Sequence, residues 1–311
     1  MPPRSPLPTR HGLSAAWLRT PDRGPGGPHP WASMGEWLHH RLDETTDVTS
    51  LLSQECFVYE DGRPVGGADR WGPHTFVWFH RDLREEPAVP GDLPVVHRDE
   101  RIVVVDKPAF LSTVPRGQHV RESVVVRLRA ELGLPELSPV HRLDRVTSGL
   151  LVLATEQRWR APYQRLFETG AVSKTYRALA SYRPELALPL VVRNHLHKER
   201  GGVRAQVVPG APVNAETLVE LDCWEGGRGV YRLSPRTGRT HQLRIHLWGL
   251  GIPIVDDPLY PVDRGVSLDD FSRPLQLLAS ELAFADPVDG GGRRLVSGRT
   301  LPLEPAPRQG R

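Results

Sequence analysis

Cysteine is nearly absent: Cys56 and Cys223 are the only two in 311 residues. They stand far apart and outside any CxxC arrangement, so they build neither a disulfide framework nor a structural zinc site. That scarcity leads us to expect a reduced, cytoplasmic setting. Long apolar runs are missing too. None approaches the roughly 20 residues needed to cross a bilayer. The opening MPPRSPLPTRHGL lacks the apolar stretch of a secretory signal, so membrane and export roles are set aside. Metal-ligand spacing is also lacking, with no HExxH, and His241 and His246 lie five apart, off a common helix face. There is no GxSxG elbow and no internal repeat. A dominant charge is missing as well: the net charge is +3, although the pI of about 9.1 leaves room for a nucleic-acid partner.

What is present is an ordinary globular composition, 39% hydrophobic and 25% charged, long enough for one large domain or two modest ones. Residues 1–33 are rich in Pro, Gly and Arg, as in PDRGPGGPHP at 21–30, and read as a mobile tail unable to bury enough apolar surface. Residues 34–94 read as a small helix-plus-hairpin unit and linker. Trp37, Leu38 and Leu42 share a helical side within 34–55, FVYEDGRPVGG carries an Asp-Gly hairpin signal, and HTFVWFH at 74–80 is a strand. This unit is similar to a degenerate form of the S4-type RNA-binding module. LREEPAVPGDLP at 83–94 reads as the linker, and 95–311 as the catalytic domain. There, strands are expected at RIVVVD, GLLVLA, KTYRALASY, ETLVELDCW and GVYRLSP, and helices at SVVVRLRAEL and RWRAPYQRLFETG. Strands follow one another without regular intervening helices, which predicts α+β with a mixed, mainly antiparallel sheet.

Three segments carry candidate chemistry. HRLDRVTSG at 141–149 sets Asp144 between Arg142 and Arg145, just before an apolar strand. A carboxylate so placed is either a turn cap or a rigidly held reactive acid, with arginines able to meet phosphates. SKTYRALA at 173–180 puts Lys174, Tyr176 and Ala178 on one face of a strand, where Tyr176 is either a core ring or a stacking platform for a base. SPRTGRTHQLRIHLWGLGIPI at 234–254 predicts a helix capped by Thr240, with Leu243, Leu247 and Leu250 as its apolar stripe. Arg239 lies just before it and Arg244 one turn inside.

In this order, HRLDRVTSGLLVLA, KTYRALA and TGRTHQLRIHLWGLGIPI…DDPLY resemble the signature segments of the RluA family of RNA pseudouridine synthases. RIVVVDKPAFLSTVPRG, NAETLVEL and LLASELAFADP match as well, so the resemblance spans about residues 95–303. It implies a pseudouridine synthase fold with its active site in a central cleft. It also implies isomerisation of uridine in a ribosomal or transfer RNA loop by a monomer that needs no cofactor or metal. By the same resemblance Asp144 is the essential aspartate, Tyr176 the ring that packs on the uracil, and Arg244 the bidentate partner of the catalytic carboxylate. Arg142 fills the stack when the uridine leaves. Arg145, Lys174, Arg239 and His241 are the further expected RNA contacts. The chain departs from the family pattern at Asp256, where glycine is usual, and at Leu278, where histidine is common.

Two other readings compete on the sequence. One is a non-catalytic RNA-binding protein using the same basic cleft. The other, a hydrolase built from Ser148, His141 and Asp144, is disfavoured, because these residues lie too close together in one loop to assume triad geometry and no GxSxG elbow is present.

Overall fold

The computed structural model describes residues 2–22, 31–44, 46–81, 86–115, 120–265 and 267–303. The chain divides into two compact units, Met1–Glu85 and Glu86–Arg311.

The first unit contains β1 (Ala16–Arg19), α1 (Met34–Arg41), α2 (Val48–Ser53), β2 (Phe57–Tyr59) and β3 (Phe76–Phe79), with an antiparallel sheet ordered β1-β3-β2. Trp37, Leu38, Phe57, Val77 and Phe79 form its core. The helical spacing over 34–55 is split in two, because Asp47 caps a fresh start by accepting from Ser50 N–H. The Asp61-Gly62 turn forms, with Tyr59 N–H donating to Arg63 O. Its return strand is only a single bridge, Val58 with Pro64, flanked by that bond and one from Val65 N–H to Phe57 O, and β2 also pairs with β3. The expectation of a mobile tail over 1–33 is corrected at Ala16–Arg19, which pairs along its whole length with Phe76–Phe79. Most of PDRGPGGPHP, residues 23–30, lies outside the described residues.

The second unit runs β4 (Val95–Arg98), β5 (Ile102–Lys107), α3 (Val124–Leu132), β6 (Ser138–Pro139), β7 (Ser148–Ala154), α4 (Gln157–Glu168), β8 (Ser173–Ser181) and β9 (Leu190–Asn194). It continues through β10 (Leu196–His197), β11 (Gln206–Val207), β12 (Ala215–Glu225), β13 (Arg228–Pro235), α5 (Gln242–Gly249), β14 (Leu277–Ala285) and β15 (Gly292–Val296). Its large sheet is ordered β4-β5-β7-β14-β8-β13-β12-β9, with β15 on β14 and β6 on β7. Every pairing is antiparallel except β7 with β14, so the mixed, mainly antiparallel sheet expected from the sequence is present. Residues 86–94 are not a free linker: Glu86 accepts the N–H groups of Val120, Arg121 and Glu122, and Val89 N–H donates to Glu122. Residues 83–85 lie outside the described residues.

The continuous apolar runs of β5 and β7 follow from burial on both faces. Val103, Val105, Leu151 and Leu153 point into one cluster with Leu128 of α3 and Leu247 of α5. Their neighbours Ile102, Val104, Leu150 and Val152 point into another with Tyr163 of α4. Gly149 is obligatory where β7 meets β14. Its φ is +110°, and a Cβ there would sit 2.3 Å from Ala279 O. That junction fixes the end of the loop carrying Asp144.

Candidate active site

Asp144 lies between β6 and β7 on a loop pinned at several points. Thr113 Oγ1 donates to Leu143 O, Asp144 O accepts from Thr147 N–H, and the fully buried Lys107 Nζ donates to the carbonyls of Pro108, Leu111 and Arg145. Burial pulls the Lys107 amine down to about 7, and the nearby charge of Asp144 opposes that fall. Upstream, His141 Nε2 accepts from Val152 N–H while its ring stacks on Phe167 at 4.2 Å. Burial lowers His141 to about 3, so it is a neutral structural ring with its acceptor nitrogen committed to the backbone. Ser148 Oγ donates to Leu277 O. His141 and Ser148 therefore do not form a triad with Asp144, and the hydrolase reading falls away.

The loop opens on a cleft of about 1200 Å³. Asp144 is one-third exposed at its wall, with Oδ2 3.5 Å from Arg244 Nη1 and 3.8 Å from His241 Nε2. Arg244 is the third residue of α5 and only 2% exposed. Its bidentate partner is Asp257, not Asp144 as expected: Nε donates to Oδ2 at 2.8 Å and Nη2 to Oδ1 at 2.6 Å. Asp257, itself 1% exposed, also accepts the N–H groups of Leu259 and Tyr260. The guanidinium is thus held on one edge by Asp257 and turns its remaining corner to Asp144. Burial works against its charge, but the hydrogen bonds and charge of Asp257, then the charge of Asp144, raise its pKa overall.

Tyr176 and Lys174 of β8 both line the cleft, as their shared strand face predicts, while Ala178 continues into the core. Burial, and then the charge of Asp144, raise the Tyr176 phenol, so it stays neutral. Among the described residues nothing hydrogen-bonds its hydroxyl. Lys174 donates to Thr237 O, and burial lowers its pKa.

Arg142 is exposed and lines the cleft, and Arg239 does so while donating to Asn214 O. Arg145 is turned away. Its guanidinium donates to Ser267 O and Leu268 O and lies over the Phe110 ring, and it does not line the cleft beside Arg142. The helix cap also moves by one residue: His241, in the left-handed region at φ +57°, precedes α5, and Thr240 is not the cap. The turn before it is held by Gln242, whose Oε1 accepts from Thr237 Oγ1 and Arg239 N–H and whose Nε2 donates to Glu216 O and Thr217 Oγ1.

Sequence reasoning missed Asp257, Tyr260, Lys107, Thr113 and Gln242 as site-building residues. It also missed Arg129, Arg160 and Arg236, which join Arg142, Lys174 and Arg239 around the cleft against the carboxylates of Asp144 and Glu168. No spacing rule would have selected Asp257 over its neighbour. Asp256 has φ +59°, which accounts for the glycine usual there, and its carboxylate pairs with Arg273 at 2.7 Å. Leu278 is buried with Leu179, Val230 and Leu301. Among the described residues no three His, Cys, Asp or Glu side chains stand together as a metal site.

The geometry has counterparts among known proteins. The RNA pseudouridylate synthase family matches residues 101–248, which include Asp144, Tyr176 and Arg244. RNA pseudouridine synthase 7 of Oryza sativa subsp. japonica is 33% identical over 59% of this chain and 48% of its own length, so the chain spans about half of that relative. The dual-specificity RNA pseudouridine synthase RluA of Vibrio parahaemolyticus is 33% identical over 66% of this chain and 82% of its own length. The solved structure of human RNA pseudouridylate synthase domain containing 4 aligns with a TM-score of 0.50 and 27% identity. That alignment covers 67% of this chain and 88% of the human one. With the cleft, the ordered motifs and these relatives in agreement, the chain belongs to the RluA family of RNA pseudouridine synthases.

Proposed function

We propose that the protein isomerises uridine to pseudouridine in a structured RNA, a ribosomal or transfer RNA loop. The observation that carries the reading is Asp144 on a pinned loop, facing the free corner of a guanidinium whose other edge is locked by Asp257. Isomerisation breaks the N1–C1′ bond, turns the uracil and rejoins it through C5. The uridine must first leave its stack, which costs a few kcal/mol and least in a loop or bulge. The exposed Arg142 guanidinium is suited to the gap left behind, and the basic rim to the flanking phosphates. Asp144 acts on the sugar as nucleophile or base, oriented by Arg244. The neutral Tyr176 ring at the cleft wall stacks on the uracil as it turns.

An RNA-binding protein without chemistry would have no use for a carboxylate opposite so constrained an arginine, so the catalytic reading is favoured. The test is Asp144→Asn in a single-turnover assay at saturating enzyme. With Asp144 one-third exposed, the change should cost no more than about 1 kcal/mol of stability. RNA affinity should hold while pseudouridine becomes undetectable. A folded variant that forms product at the parent rate would overturn the proposal.

A further inference from the structure

His241 stands where no catalytic task has been assigned, and its hydrogen bonds decide which nitrogen is basic. Tyr260 Oη donates its one proton to Ala205 O at 3.0 Å and accepts Ala205 N–H at 2.9 Å. His241 Nδ1 lies 3.0 Å from the same oxygen. With the phenol proton committed to Ala205, the Nδ1···Oη contact is satisfied only when Nδ1 carries the hydrogen and donates it. The other nitrogen, Nε2, is then a bare lone pair 3.8 Å from Asp144 Oδ2. Two acceptors face each other across a gap that one proton would close, and such contacts run long without substrate and tighten when it binds. The backbone holds this arrangement at a cost, since His241 is a non-glycine residue at φ +57°.

Resting on the synthase reading, we infer that His241 is a positioning residue for Asp144 that takes from its carboxyl group the proton released by the substrate. Rejoining uracil through C5 leaves a hydrogen on a tetrahedral carbon. The C5–H bond breaks, its electron pair restores C5=C6, the displaced pair settles on N1, and N1 takes a proton from solvent. Asp144 receives the C5 proton. Its O–H bond then breaks as the Nε2–H bond forms, the electron pair stays on the carboxylate, and the imidazolium loses that proton to water. Asp144 is thereby returned to the ionised form its pairing with Arg244 requires. Burial holds the free imidazole down at about 4, so Nε2 is vacant at neutral pH. The charges around it are Asp144 from the β6–β7 loop, Arg244 on α5, Asp257 beyond it, and Lys198 after β10. The carboxylates favour uptake and the cations oppose it.

The experiment follows tritium released from C5-labelled uridine in a short RNA stem-loop, together with pseudouridine formed, in single turnovers at saturating enzyme. His241→Asn tolerates the left-handed backbone and removes the base. It should melt like the parent, yet at saturating enzyme release tritium about a hundredfold more slowly. Added imidazole, which can enter the cleft that His241 lines, should restore the rate in proportion to its concentration and, across substituted imidazoles, to their basicity. The parent should not respond. His241→Gln gives the same readings should the Asn variant melt early. Parent-like release by a folded variant, or slowing that imidazole does not move, overturns the inference. A parent that releases no tritium from any uridine RNA removes the synthase reading itself, a result separable from these.

Discussion

The Arg244–Asp257 pair invites a double-mutant cycle, because its energetics and its effect on Asp144 can be read separately. Both side chains are almost wholly buried, and Asp257 accepts two guanidinium and two backbone hydrogen bonds. Asp257→Leu leaves a buried cation without its partner and two amides unsatisfied. Breaking a buried pair from one side costs about 3–5 kcal/mol, a large share of a domain's typical stability of roughly 5–15 kcal/mol. For a unit of this size that lowers the melting temperature by roughly 6–20 °C. Arg244→Met should cost a comparable amount, by stranding the carboxylate. The double variant Arg244→Met/Asp257→Leu removes both charges together and should be far less destabilised than the sum, with a coupling energy of about 2–3 kcal/mol. Urea titrations of the four proteins measure this. Additive single effects, or singles within about 0.5 kcal/mol of the parent, would refute the reasoning. The kinetic arm differs: the repacked double variant should fold yet make no pseudouridine, because Asp144 has lost the guanidinium corner that orients it.

Tyr176→Phe should retain most activity, since its hydroxyl has no partner among the described residues, whereas Tyr176→Ala should lose the stacking surface. Equal loss in both, measured as single-turnover rate, would contradict a ring-only role. Stability should fall as the solution is acidified below the ordinary histidine range. His141 is held at about 3, and His241 and His246 at about 4, by burial. Below their unfolded value of roughly 6.5 the unfolded chain binds more protons than the folded one, which costs up to about 1.4 kcal/mol per pH unit for each histidine. His246→Gln should flatten the slope by about one proton, and a parent whose melting temperature is constant from about pH 6.5 to 4.5 would exclude the effect. Removing residues 1–85 should leave the second unit folded and able to act on a short stem-loop, while changing which uridines are chosen in total RNA. Unchanged site selection would deny the first unit any targeting role.

The segments that read correctly from sequence are those whose pattern is local. RIVVVD and GLLVLA are short apolar runs bounded by turns, and they became β5 and β7 because both faces of the sheet are covered there. Lys174 and Tyr176 share the cleft because a strand alternates faces, a fact available from spacing alone. What spacing does not carry is the direction a loop takes. Arg142 and Arg145 flank Asp144 and carry the same expectation of meeting phosphates, yet Arg142 lines the cleft while Arg145 goes to the carbonyls of residues 267 and 268. Partner choice is harder still. Two acids, Asp256 and Asp257, follow each other, and only the folded backbone separates their roles. One takes a left-handed position and an outward pair with Arg273, and the other is driven inward onto Arg244. An arginine only 2% exposed needs a buried counter-charge. Asp144 cannot serve as that counter-charge and remain one-third exposed to a substrate. The second carboxylate is therefore a physical requirement of the site, and it is what leaves Asp144 free to react.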